Sequence, residues 1–195
     1  MDCTMIDLGF ALFHTAVGPC GIVWSERGIV GVQLSGANDR ATGNRLLRRY
    51  PKAAEAAPPA GVQRVIDDII GLLNGEPKDL NHAKLDTEGC ADFHRRVYEI
   101  ARTIPAGATL TYGEIAERLG DRTLARDVGA ALSQNPWPII VPCHRVLAAG
   151  GKTGGFSAPG GVATKLRLLS IEGAQPDGPG LFDRLPLVAP QRRRA

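Results

Sequence analysis

The sequence predicts a small α/β domain, a β-sheet with helices, followed by a mainly α domain built as a winged helix-turn-helix. Three observations predict it. The first third is made of short apolar or alternating runs cut by turns. The middle carries two short helical patterns joined by Gly120-Asp121-Arg122-Thr123. A glycine-rich stretch follows Pro142-Cys143-His144-Arg145-Val146, as a hairpin would.

Each element has its own reason. Phe10–His14, Gly21–Trp24 and Ile29–Leu34 read as strands, with Gly18-Pro19 and Ser25-Glu26-Arg27-Gly28 as turns. Asn38 to Tyr50 reads as a polar helix with several arginines, and Pro51 to Pro59 as a loop. Val62, Val65, Ile66, Ile69, Ile70 and Leu73 recur at helical spacing until Asn74-Gly75. Residues 75–92 read as a connection ending in a short strand. A helix begins at Phe93, with Val97, Ile100 and Ala101 on one face, and stops at Pro105-Ala106-Gly107. Thr111 and Glu114 have the spacing of a capping box and open the helix Glu114–Leu119. Thr123 is placed to cap a second helix, Leu124–Ser133. The pair has helix-turn-helix shape, though plain core hairpins share it. Val146–Ala148 and Gly154-Gly155-Phe156 are the expected wing, and Thr164–Ile171 a last helix. The expected division is 1–89, 90–175 and a disordered basic tail, 176–195, broken by prolines and ending in Arg192-Arg193-Arg194.

With 195 residues, 44% hydrophobic and 22% charged, the chain is long and apolar enough for a real core. No apolar run is long enough to span a membrane. Asp2 and Asp7 stand where an export signal would be positive, so a cytoplasmic protein is expected. Cys3, Cys20, Cys90 and Cys143 include no CxxC pair, which suits free thiols in a reducing compartment. Residues 93–175 hold 10 Lys and Arg against 6 Asp and Glu, whereas residues 1–92 hold 9 against 12. The basic excess fits a polyanion partner and equally fits ordinary surface variation.

Cys143 is the candidate nucleophile. The thiolate is the reactive form of cysteine, and cationic or basic neighbours such as His144 and Arg145 favour it. A structural histidine at 144 and a plain core cysteine are the competing readings.

Pro142-Cys143-His144-Arg145-Val146 closely resembles the active-site motif of the O6-alkylguanine-DNA alkyltransferases, the methylated-DNA–protein-cysteine methyltransferases. The resemblance runs from about Phe93 to Gly173 and includes Thr111-Tyr112, Ala125-Arg126, Asn135-Pro136, Ser157 and Ile171-Glu172-Gly173. It implies single-use transfer of an alkyl group from guanine O6 in double-stranded DNA to Cys143, with O4-alkylthymine as a second candidate. His144 would be the base through a bridging water, and Glu172 would fix its tautomer. Tyr112 would donate toward guanine N3, with a half-buried core tyrosine as the competing reading. Arg126 would fill the stack vacated by a flipped base. Asn135 would hold the bend, Ser157 would contact O6, and Val146, Pro138 and Phe156 would wall the pocket. Gly113, Ala125, Arg122 and His94 complete the implied DNA contacts. The expected partner is alkylated duplex DNA, met by a monomer without cofactor.

Departures from the family pattern matter. Phe156 stands where many members have tyrosine, and Ala158-Pro159 lengthen the loop before Gly160. Ser25 and Val30 fall where zinc-binding members need cysteine and histidine, so no metal is expected. Relatives with tryptophan for the cysteine bind lesions without repairing them, which Cys143 argues against. A lesion-binding module and a cysteine hydrolase are the alternatives, and the helix-turn-helix disfavours the hydrolase.

Overall fold

The computed structural model describes residues 8–174. The expectations for the basic tail, for Asp2 and Asp7, and for Cys3 lie outside them. Strands β1 (Gly9–Thr15), β2 (Gly18–Ser25) and β3 (Gly28–Gln33) form the antiparallel meander that their runs predict. Gly18-Pro19 opens β2 instead of making the turn. Ala16 and Val17 turn the chain, and Gly18 takes a φ of 114° that a side chain would strain. The central strand is apolar on consecutive residues because helices cover both sheet faces. Phe10 and Val23 meet Leu46 on one side, and Phe13, Ile22 and Trp24 join Val65, Ile66 and Ile69 on the other.

Those helices are α1 (Asp39–Arg49) and α2 (Ala60–Leu73). Asn38 caps α1 by accepting from the Ala41 amide at 2.9 Å. The loop expected between them contains a two-residue strand, β4 (Ala54–Glu55), which pairs parallel with β1 and makes the sheet order β3-β2-β1-β4. The strand expected near residue 85 is reduced to one bridge, Leu85 to Ile29. A side chain fixes this segment instead: Arg102 donates to the carbonyls of Leu80, Asn81 and Ala83 at 2.8–3.2 Å.

The helical half contains α3 (Asp92–Arg102), β5 (Leu110–Thr111), α4 (Tyr112–Arg118), α5 (Ala125–Ser133), β6 (Val146–Leu147) and α6 (Gly161–Ile171). The capping box forms as expected. Thr111 Oγ1 accepts from the Glu114 amide at 3.2 Å, and the Glu114 carboxylate accepts the Thr111 amide at 2.6 Å. Thr123 does not cap the second helix. Asp121 takes its amide at 2.8 Å and its hydroxyl at 2.6 Å, capping a short 3-10 turn, Arg122–Leu124, that leads into α5. The wing is not a hairpin. Val146–Leu147 pairs parallel with Leu110–Thr111, and Gly150, Gly151 and Gly154 take φ of 68–70°, which breaks any ladder beyond.

One buried cluster runs through both halves, from Ile22 and Ile29 to Val97, Tyr98, Val128 and Trp137. Polar bonds stitch the same seam. Trp137 Nε1 donates to the Ile29 carbonyl at 2.7 Å, and the Val32 amide donates to the Pro136 carbonyl at 2.8 Å. Tyr98 lies edge-on to Trp137, and its hydroxyl donates to the Ala131 carbonyl at 2.8 Å, which ties α3 to α5. The seam therefore fixes both the second helix of the pair and the loop that carries Cys143.

Candidate active site and nucleic-acid interface

The loop after α5 is built around Asn135, which is buried. Its Oδ1 accepts from the Trp137 amide at 2.9 Å, and its Nδ2 donates to the Val141 carbonyl at 2.8 Å and toward Cys143 Sγ at 3.3 Å. The expected organiser of the bend thus also touches the sulfur. Ile139 has a φ of 76°, a left-handed conformation that costs a β-branched residue about 1–2 kcal/mol. Its side chain is 2% exposed, and that burial holds the strained turn in place.

Cys143 opens a 3-10 turn, Cys143–Arg145, which turns consecutive side chains to different surroundings. Cys143 is half-buried, whereas His144 and Arg145 are buried. His144 Nε2 and Glu172 Oε1 are 2.9 Å apart, and Arg145 clasps the same carboxylate through Nε and Nη2, each at 2.8 Å. Arg145 Nη1 also donates to the Ile104 carbonyl, so the arginine is structural. Burial alone would push the Glu172 carboxyl up, but the hydrogen bonds from His144 and Arg145 and the charge of Arg145 bring it down to about 2. An ionised Glu172 can only accept a hydrogen bond, so Nε2 must donate it, which fixes the imidazole as the Nε2–H tautomer. Burial also lowers His144, against the pull of Glu172, and keeps the ring neutral. Among the described residues His144 Nδ1 is a buried basic atom without a protein partner.

Burial pushes the Cys143 thiol up, and the Asn135 amide and the Lys165 ammonium only partly oppose it. The resting sulfur is a thiol, and its neighbours do not ionise it outright.

Lys165 is the site residue that sequence reasoning missed. It is fully buried, donates to the Val146 carbonyl at 2.6 Å and lies 6.0 Å from the Tyr112 ring centre. Burial brings it down to about 8, while the charge of an ionised Cys143 holds it up. The signal was present: Lys165, Leu168, Leu169 and Glu172 share helical spacing, and a lysine on a leucine stripe is seldom accidental.

A cavity of about 770 Å³ gathers Tyr112, Gly113, Arg122, Ala125, Arg126, Cys143, Phe156 and Ser157. Arg122 and Arg126 are exposed at its rim. Gly129 of α5 faces the Tyr112 ring, and a Cβ there would meet it at an ordinary contact distance of 3.9 Å. A second cavity, of about 450 Å³, shares Cys143, Phe156 and Ser157 and adds Asn135 and Pro138. Val146 is fully buried and lines neither cavity, because its side chain packs in the core while its carbonyl holds Lys165. His94 also lies away from both. It packs on α3 between Phe93 and Tyr98, with ring centres 6.3 and 6.1 Å distant.

Exposed arginines of a helix pair and a half-buried thiol around one cavity, with an imidazole–carboxylate pair buried beside the thiol, suit a nucleic-acid-binding protein with a reactive cysteine. Comparison with known proteins makes this specific. Residues 92–174 match the family model of the 6-O-methylguanine DNA methyltransferase DNA-binding domain. A methylated-DNA–protein-cysteine methyltransferase of Methanosarcina acetivorans is 44% identical over 166 residues, 85% of this chain and 98% of that protein. One from Methanothermobacter thermautotrophicus is 35% identical over 158 residues, 81% of each. The crystal structure of Mycobacterium tuberculosis OGT in complex with DNA superposes with a TM-score of 0.67 at 30% identity, over 85% of this chain and 92% of that one. The chain belongs to the methylated-DNA–protein-cysteine methyltransferase family of DNA-repair enzymes.

Proposed function

We propose that this protein repairs O6-alkylguanine in duplex DNA by flipping the damaged base into the larger cavity and taking its alkyl group onto Cys143, once per molecule. The observation that carries this reading is Cys143 itself, which forms a wall common to both cavities with the His144–Glu172 pair behind it. The thiol proton passes through a water to His144 Nδ1 as the sulfur attacks the alkyl carbon. The S–C bond forms, the C–O6 bond breaks, and the leaving guanine takes a proton. Lys165 and the Asn135 amide steady the thiolate, Tyr112 and Ser157 donate to the base, and Arg126 and Arg122 meet the DNA. O4-alkylthymine is a second substrate of the same chemistry. One chain supplies every part, so the working unit is a monomer, acting in the cytoplasm. Residues 90–175 carry the chemistry, and residues 1–89 buttress the loop.

Incubation with duplex containing O6-methylguanine should raise the intact mass by one methyl and no further, with the adduct on Cys143. Several turnovers, or an adduct on Cys20 or Cys90, would sink the reading. A lesion-binding protein would show no mass change at all.

Arg126→Ala should slow repair of duplex about tenfold while leaving reaction with free O6-benzylguanine within about twofold, because only a duplex base must be unstacked, at a few kcal/mol. Repeating the duplex assay at raised salt separates this from phosphate attraction. Equal slowing on both substrates would move Arg126 into the chemistry or the fold.

A further inference from the structure

The second cavity is walled on one side by Pro138, Phe156 and Ser157 and on the other by Arg45 and Arg49 of α1. The two arginines are four residues apart, on one face of the helix. Among the described residues no acidic side chain lines this cavity. Among the described residues neither arginine has an ion-pair partner. The guanidinium of Arg49 lies 5.6 Å from the Tyr50 ring centre, which partly fixes its direction. The two positive charges therefore come from the N-terminal half, whereas Arg122 and Arg126 line the other cavity.

We infer that this arginine-lined cavity receives the alkyl group and selects O6-alkyl groups that end in an anion, carboxymethyl being the simplest. This rests on the alkyl transfer proposed above. In an in-line displacement O6, the attacked carbon and Sγ lie nearly on one line. With the base in the larger cavity, a substituent on that carbon projects sideways past Cys143. The smaller cavity opens there, because Cys143, Phe156 and Ser157 belong to both. A carboxylate on the substituent then points toward Arg45 and Arg49. The transfer stays balanced: the S–CH2 bond forms, the O6–CH2 bond breaks, the thiol proton ends on guanine, and the carboxylate stays on the thioether. No oxidant or cofactor is consumed.

The test compares two duplexes, one with O6-carboxymethylguanine and one with its neutral near-isostere, O6-(carbamoylmethyl)guanine. Single-turnover rates are measured for the wild type and for R45Q/R49Q. Taking the ratio of the two rates within each protein, and then comparing proteins, cancels the intrinsic reactivities of the two lesions. The ratio should fall about fivefold in R45Q/R49Q, as expected for removing charge-assisted contacts at a half-open site. R45E/R49E should lower it further. An unchanged ratio, or equal slowing of both lesions, overturns the inference and makes the arginines DNA contacts or surface charge. Should Cys143 take a methyl group from O6-methylguanine duplex but nothing from either of these lesions, the inference is overturned; should it take no group even from O6-methylguanine, the transfer reading itself fails, which is a separate result.

Discussion

Cys143→Ser should abolish alkyl transfer and leave binding to O6-methylguanine duplex within about threefold of the wild type, since most of the larger cavity and both rim arginines stay in place. The expected loss is total on the assay timescale. A hydroxyl is much less acidic than a thiol, and the neutral His144 is too weak a base to ionise it. Burial already pushes the Cys143 thiol up, so the site relies on a nucleophile that is reactive once deprotonated. Intact mass after overnight incubation measures the loss, and fluorescence anisotropy measures the binding. Transfer that survives the substitution would mean that another residue is the acceptor. Binding that collapses with it would mean that the sulfur organises the pocket.

Glu172→Gln should slow transfer about a hundredfold or more, the range for losing a positioned base, and should destabilise the fold as well. The carboxylate is 2% exposed and serves two partners. A glutamine leaves the buried Arg145 without its counter-ion and gives His144 a weaker, neutral acceptor. The pH dependence separates the two effects. Glu172 goes from an ordinary 4.5 down to about 2 in the folded protein. A depressed carboxyl contributes stability that is present above the unfolded value and lost as pH falls through the folded one. The wild type should therefore lose roughly 3 kcal/mol between about pH 4.5 and 2 that the variant has already lost at neutral pH. Chemical denaturation at pH 7 and pH 3 reads this directly. A variant as stable as the wild type at pH 7, or with the same loss on acidification, would show that the Glu172 cluster does not hold the fold.

What the sequence shows and hides follows from the kind of interaction involved. The three strands, the polar helix capped by Asn38 and the Thr111–Glu114 capping box are local, and local spacing reveals them. Thr123 misled because Asp121, two residues earlier, is the stronger acceptor and caps first. The glycines after Val146 read locally as a hairpin or wing, and their left-handed backbone excludes only the hairpin, leaving Val146 to pair with distant Leu110. Cys143, His144 and Glu172 were identified through motif resemblance, and the structure brings the last two together across 28 positions. The pairing of Lys165 with the Val146 carbonyl and the gathering of Arg45, Arg49 and Cys143 around one cavity depend on packing between elements, which no local pattern encodes. Val146 shows the converse: a residue type in a suggestive place, buried in the core by the same packing.

The indole of Trp137, bonded to the Ile29 carbonyl, makes the two halves poor spare parts. On paper the chain divides near residue 89, and the helix-bearing portion looks like a module to be moved between proteins. Lifted out, that portion would lose the cover over Trp137 and strand its indole N–H, leaving a sticky face that invites self-association. A chimera that exchanged the sheet of one relative for that of another would have to exchange the matching groove with it. Recombination at this joint obeys the rules of an obligate interface, in which both surfaces change together.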